Sequence, residues 1–151
     1  MANELKQVYG SATTVIDLTA DLTNTSVAGG TAALDNTTNN YPWALAVFNN
    51  PGTFSAAPTN LSTVNLYMVR QNVDSTSDDT AAPTGSDVES AQFVGAFLIY
   101  DTDEEQRVSI VIDIAGVTNA LFYIENKTGV TITGSGSHIY VKVTPFSYAP
   151  T

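Results

Sequence analysis

Apolar and polar residues alternate with a period of two along most of this chain. In RVSIVIDIA, Val108, Ile110, Ile112 and Ile114 fall on one side, with Ser109 and Asp113 on the other. In SHIYVKV, Ile139, Val141 and Val143 alternate with His138, Tyr140 and Lys142. TVNLYMVR sets Val64, Leu66 and Met68 against Asn65, Tyr67 and Val69, and ATTVIDLTAD sets Ile16 and Leu18 against Asp17 and Thr19. Successive side chains of an extended chain point to opposite faces, so each segment predicts a half-buried strand. Their β-branched content agrees, because such side chains pack well on a pleated surface.

Two runs are apolar on both faces. YPWALAVF (41–48) and FVGAFLIY (93–100) predict central strands, or strands whose outer face a partner covers. Pro42 suits a strand start, where its missing N–H is tolerated. Trp43, inside the first run, is expected in the core. FYIENKTGVTITGSGSHIYVKVTPFSY (122–148) reads as a hairpin of two apolar strands around an Asn/Gly/Ser loop. Residues 24–40, 49–60 and 72–90 read as long irregular connections, and no long segment keeps a helical period. Short strands with Gly, Pro and Asn punctuation predict an all-β fold. The expected architecture is a single-domain antiparallel β-sandwich, jelly-roll-like, of about eight strands with long loops. It spans 11–151 and is preceded by an N-terminal arm, 1–10.

Composition narrows the partners. At 151 residues the chain fits one domain. Fifteen acidic residues against five basic ones give a net charge of -10. The basic residues, Lys6, Arg70, Arg107, Lys127 and Lys142, are scattered. Binding a phosphate backbone needs cations gathered on one face, so nucleic acid is not an expected partner, and neither is an anionic membrane. No apolar run approaches the length of a membrane span, and MANELKQVYG carries no apolar run of signal-peptide length. The absence of cysteine excludes thiol catalysis and cysteine metal sites. Charged residues form only 13% of the chain, about half the usual share, and Asn, Thr, Ser and Gly carry its solubility instead. That surface suits a protein touched on many sides. Asn24, Asn36, Asn60 and Asn126 head Asn-x-Ser/Thr sequons, read as chance matches in a Thr-rich chain.

Candidate chemistry is sparse. DTDEEQR spaces Asp101, Asp103 and Glu105 two apart, on one side of an extended chain. Joined by Asp78, Asp79 or Asp87 they could supply oxygens to Ca²⁺, but the glycine and ligand order of a calcium loop are missing. A solvated turn between two strands is the favoured reading. A glycosidase would need two carboxyls across a cleft, which this spacing does not suggest. His138, the single histidine, has no indicated triad or metal partners and reads as a surface or interface residue. TGSGS (133–137) lies between strands, so no helix N-terminus follows to hold a phosphate. Tyr9, Tyr41, Trp43, Phe54, Tyr67, Tyr100, Tyr123, Tyr140, Phe146 and Tyr148 form an aromatic-rich set suited to packing or contact.

The succession MANELKQVYGSATT, AGGTAALDNTTNNY, NLYMVRQNVD, VGAFLIYD, LFYIENKTG and IYVKVTPFSY, from Asn3 to Tyr148, resembles a group of small tailed-bacteriophage virion proteins. The resemblance implies a jelly-roll or β-sandwich protein that decorates or cements the capsid. It implies no catalytic residue and no cofactor, and a location on the outer surface of the capsid. The implied partners are the major capsid protein and further copies of the chain, a homotrimer about a capsid three-fold axis. Contacts are then expected from the arm (Glu4, Leu5, Tyr9), from Asn36, Asn39, Tyr41, Asp78 and Asp79 in the long connections, and from Tyr140. The alternative is a carbohydrate- or receptor-binding module of a phage tail or fibre.

Overall fold

The computed structural model describes residues 5–59, 61–72, 83, 85, 88, 91–134, 136 and 138–150. Among them are ten strands and no helix. In chain order these are β1 (Leu5–Tyr9), β2 (Thr13–Leu18), β3 (Val27–Gly29), β4 (Leu34–Asp35) and β5 (Trp43–Asn50). They continue with β6 (Thr63–Arg70), β7 (Gln92–Leu98), β8 (Gln106–Asp113), β9 (Asn119–Lys127) and β10 (Ile139–Pro150). One antiparallel sheet runs β2–β10–β5–β8, and β1 continues the β2 edge along the far half of β10. The other runs β3–β9–β6–β7, and β4 shares the β3 edge of β9. The strands therefore occupy eight positions in a β-sandwich.

One nesting rule generates this order. β6 pairs with β7, β5 with β8, β3 and β4 with β9, and β1 and β2 with β10. The sequence midpoint of every such pair falls inside the 72–90 connection. The chain is one long two-stranded ribbon, folded at that connection and rolled until β10 meets β5 and β9 meets β6. This is the jelly-roll arrangement. It corrects the hairpin expected over 122–148, because β9 and β10 belong to different sheets and the connection between them changes layer. It also corrects the 24–40 reading: β3 and β4 lie within that segment, too short for periodicity to register.

The alternating sides of the strands meet in the interior. Ile16, Ala44, Ala46, Phe48, Ile112, Ile139, Val141 and Val143 from one sheet face Val64, Leu66, Met68, Phe97, Phe122 and Ile124 from the other, all buried. Phe48 and Phe97 meet between the layers with ring centroids 5.6 Å apart. Two extra residues interrupt the alternation. Val15 has no opposite number in β10, so Val15 and Ile16 are both buried although adjacent in sequence. Val94 is similarly unmatched by β6, and Gly95 follows it. A Cβ at Gly95 would stand 2.6 Å from Ile110 Cδ1, so the missing side chain lets the edges of β7 and β8 close the corner of the sandwich. β7 is thus an edge strand, which corrects the central position, one of the two readings of its apolar run, and Phe93 and Leu98 are exposed on its outer side.

At one end, four connections are stapled together. Leu22 and Ile132 exchange backbone hydrogen bonds of 2.9 and 3.0 Å. Phe54 donates its N–H to the Asp103 carbonyl (3.0 Å), and Ser55 donates to that of Thr131 (2.9 Å). Asn126 holds the centre of this end. Its amide Nδ2 donates to the Leu22 and Val130 carbonyls, both at 2.8 Å, while its Oδ1 accepts from the Thr128 N–H and hydroxyl at 2.9 and 2.7 Å. Asn126 is fully buried, so its sequon presents no amide to modification.

The packing makes a graded prediction. Phe122→Ala should lower stability by about 3–5 kcal/mol in urea unfolding, through lost burial and a residual cavity. Val111→Ala, on an outer face, should change it by no more than about 0.5 kcal/mol. Similar losses at the two sites would contradict the assignment of faces.

Candidate functional site: a bare aromatic face

The two outer faces are treated differently. On the β3–β9–β6–β7 sheet, Val27, Tyr67, Val69 and Tyr123 form a second buried cluster, against which Val88 and Ala91 pack. The Val27 N–H donates to the Gly85 carbonyl at 2.6 Å. The described residues of the β6–β7 connection therefore cover the part of this face around Tyr67 and Tyr123, while Phe93 and Leu98 at the β7 edge stay exposed. Beside them, Glu125 is buried, accepts from the Tyr67 hydroxyl at 2.9 Å and pairs with Lys127 at 2.7 Å. Burial, reinforced by the Glu125 carboxylate, raises the Tyr67 phenol above its ordinary range. The carboxylate is consumed by structural partners.

The outer face of the other sheet has no such cover among the described residues. Register places Gln7 and Tyr9 of β1, Phe146 and Tyr148 of β10, Trp43 of β5 and Val111 of β8 on one side. Phe146 is buried there by its neighbours, with Tyr9 and Tyr148 ring centroids 5.8 and 5.9 Å away. Gln7, Trp43, Val111, Phe146 and Tyr148 line a groove of about 330 Å³. Trp43, expected in the core, is 40% exposed on this face. β5 is central as predicted, yet only its even-numbered residues at Ala44, Ala46 and Phe48 turn inward, so Trp43 necessarily turns out. Val111 was the available clue: it interrupts the polar side of RVSIVIDIA and is 59% exposed.

The N-terminal arm is part of this surface. β1 pairs along β10 from Leu5↔Pro150 to Tyr9↔Phe146, and all five of its residues are exposed. β5 reaches β10 only as far as Phe146, so beyond it β1 and β10 project as a two-stranded ribbon. Leu5 and Tyr9 thus lie together with the aromatic groove. Tyr140 lies on the same outer face near its other end, half-buried, with Lys142 Nζ 5.3 Å from its ring centroid. His138 stands beside it and meets Asp17 at 2.6 Å, an exposed surface pair.

Three expected contact residues converge on a separate polar cleft of about 350 Å³, lined by Gly10, Ser11, Asp35, Asn36, Asn39 and Tyr41 among others. Asn36 itself is buried. Its amide donates to the Tyr41 and Val117 carbonyls and its oxygen accepts the Tyr41 N–H, all within 2.9–3.0 Å. Asn36 is therefore a loop staple and not a contact residue, and its sequon, like that of Asn126, has its amide occupied. Asn39 and Tyr41 remain accessible at the cleft. Glu4, Asp78, Asp79 and Asp87 lie outside the described residues.

The acidic segment is a turn. Gln106 is buried and closes it, accepting the Tyr100 N–H at 2.8 Å and donating to the Tyr100 and Thr102 carbonyls at 3.0 and 2.9 Å. Asp101, Asp103 and Glu105 point to solvent around it, and among the described residues no three His, Asp or Glu side chains are grouped to hold a metal ion. A scan against protein-family models finds no match to this chain, and a search of curated proteins finds no relative.

The cleft yields a pH prediction. The Thr37 hydroxyl (2.6 Å) and then its N–H (2.9 Å) donate to Asp35 Oδ1 and hold this exposed carboxylate below the usual range. The turn's stabilisation is therefore present above the ordinary carboxylate pKa of about 3.9 and is lost as pH falls through the lower folded value. In an NMR titration, Thr37→Val should move the Asp35 midpoint upward. An unchanged midpoint would mean that the hydroxyl does not set it.

Proposed function

We propose that this protein is a non-enzymatic structural component of a bacteriophage virion, a decoration or cement protein on the outer surface of the capsid. Its partners on this reading are the major capsid protein and further copies of itself. The observation that carries the proposal is the asymmetry of the sandwich. One outer face is partly covered by the chain's own connection, and the other carries no such cover among the described residues, is aromatic and is extended by a projecting ribbon. Tyr and Trp are enriched at protein interfaces because a rigid ring is buried at small entropic cost while its polar tip stays bonded.

The rest of the molecule supports the same reading. Its polar side chains are spent on internal staples, as Asn36, Asn126, Gln106 and Glu125 illustrate. A rigid frame with preformed surfaces loses little entropy on binding, and many copies on a lattice add avidity to a modest single contact.

The deciding experiment adds purified protein to capsids that lack it. Saturable, stoichiometric binding and a raised capsid melting temperature are expected. Binding without any change in melting would remove the cementing role, and no binding would overturn the proposal.

A further inference from the structure

We infer that the β1–β10 ribbon, with the aromatic face at its base, is where a second copy of this chain docks. This rests on the reading that the protein works by contact, and it identifies the copy-to-copy surface.

The ribbon is incomplete in three ways. A two-stranded ribbon is marginal by itself in water, yet residues 5–8 and 147–150 pair only with each other. Both edges of the ribbon are therefore free among the described residues, and each offers unpaired N–H and C=O groups that template another strand. Both faces of the ribbon are also apolar in part. Leu5, Tyr9 and Tyr148 lie on one side and Val8 on the other, with exposures of 68, 53, 54 and 38%. A glycan stacking on the rings would leave the strand edges and the Val8 side bare. A protein strand would satisfy them.

The area is of the right order for self-association. An aromatic side chain buries about 150–250 Å² when covered, so Tyr9, Trp43 and Tyr148 at roughly half exposure offer on the order of 300 Å². Leu5 and Val111 on the same side add a smaller amount, so the apolar patch with its polar rim and the free strand edges approaches the roughly 800 Å² per partner of a standard interface.

Charge favours a second copy at this end. Among the described residues, Asp17, Asp21, Asp101, Asp103, Glu104 and Glu105 lie at or beside the stapled loops, at the opposite end of the sandwich. The ribbon itself carries one charge, Lys6, and the elements beside its base carry Asp35 and Asp113, fewer described acids than the stapled end. Copies joined through their ribbons hold the acidic ends apart, beyond the roughly 8–10 Å over which salt leaves charges interacting.

The test is sedimentation velocity on the full chain over a wide concentration range. Reversible self-association is expected. The double variant Trp43→Ser/Tyr148→Ser should weaken it by roughly 100-fold or more, as loss of central aromatic anchors does. Phe93→Ser/Leu98→Ser, on the other sheet, should leave it unchanged. Because the chain has no cysteine, a spin label on Ala12→Cys, exposed between β1 and β2 and outside the groove, gives an independent readout, as a copy-to-copy distance signal that grows with concentration. A monomer at every concentration, or association insensitive to the Trp43/Tyr148 change, overturns the inference. A monomer that loses capsid or glycan binding with the same change assigns the face to that ligand instead. Self-association without capsid binding keeps this inference and removes the decoration role, and a capsid-binding monomer does the reverse.

Discussion

Two pleated sheets, each apolar on one side, must bury those sides against each other, and every other feature of this molecule follows from that. The burial of Phe48, Phe97, Phe122 and the aliphatic residues around them fixes which side of each strand faces in. Register then follows, because a slip of one residue would carry every inward side chain to solvent. Where an extra residue intrudes, as at Val15 and Val94, the ladder bulges locally and the pairing resumes beyond it.

The nested pairing has a topological consequence. Strands remote in sequence become neighbours, so the connections gather at two ends. At one end the loops bind one another through Asn126, Leu22 and Ile132. At the other, Asn36 ties the β4–β5 connection to the β8–β9 connection through the Val117 carbonyl. Buried amides suit this task, since each satisfies several backbone groups that would otherwise be desolvated without partners. Two of the four sequons are explained in this way as structural asparagines.

What remains after internal needs are met is the part available for function. One outer face is covered in part by described residues of the chain's own connection. Among the described residues the aromatic face and ribbon are left over, together with the polar cleft beside Tyr41. The proposed virion role and the inferred docking of a second copy both draw on this remainder. Neither requires a reactive group.

The strands were legible in the sequence because a period of two is a local property. The alternation at 64–68, 108–114 and 139–143 placed each inward residue correctly, and the turn at 101–105 was readable from its charges. Partnership was not local. Trp43 was assigned to the core because an apolar run does not reveal which of its faces the second sheet will cover. FVGAFLIY left open a central position or a partner-covered outer face and became an edge, and 122–148 resembled a hairpin although its halves entered different sheets. Asn36 looked like a contact residue until folding surrounded it with carbonyls. A sequence by itself determines which side chains seek burial, because that is intrinsic to each residue and its neighbours. Only the tertiary structure decided which apolar side chains found cover and which stayed bare, because cover comes from segments many residues away.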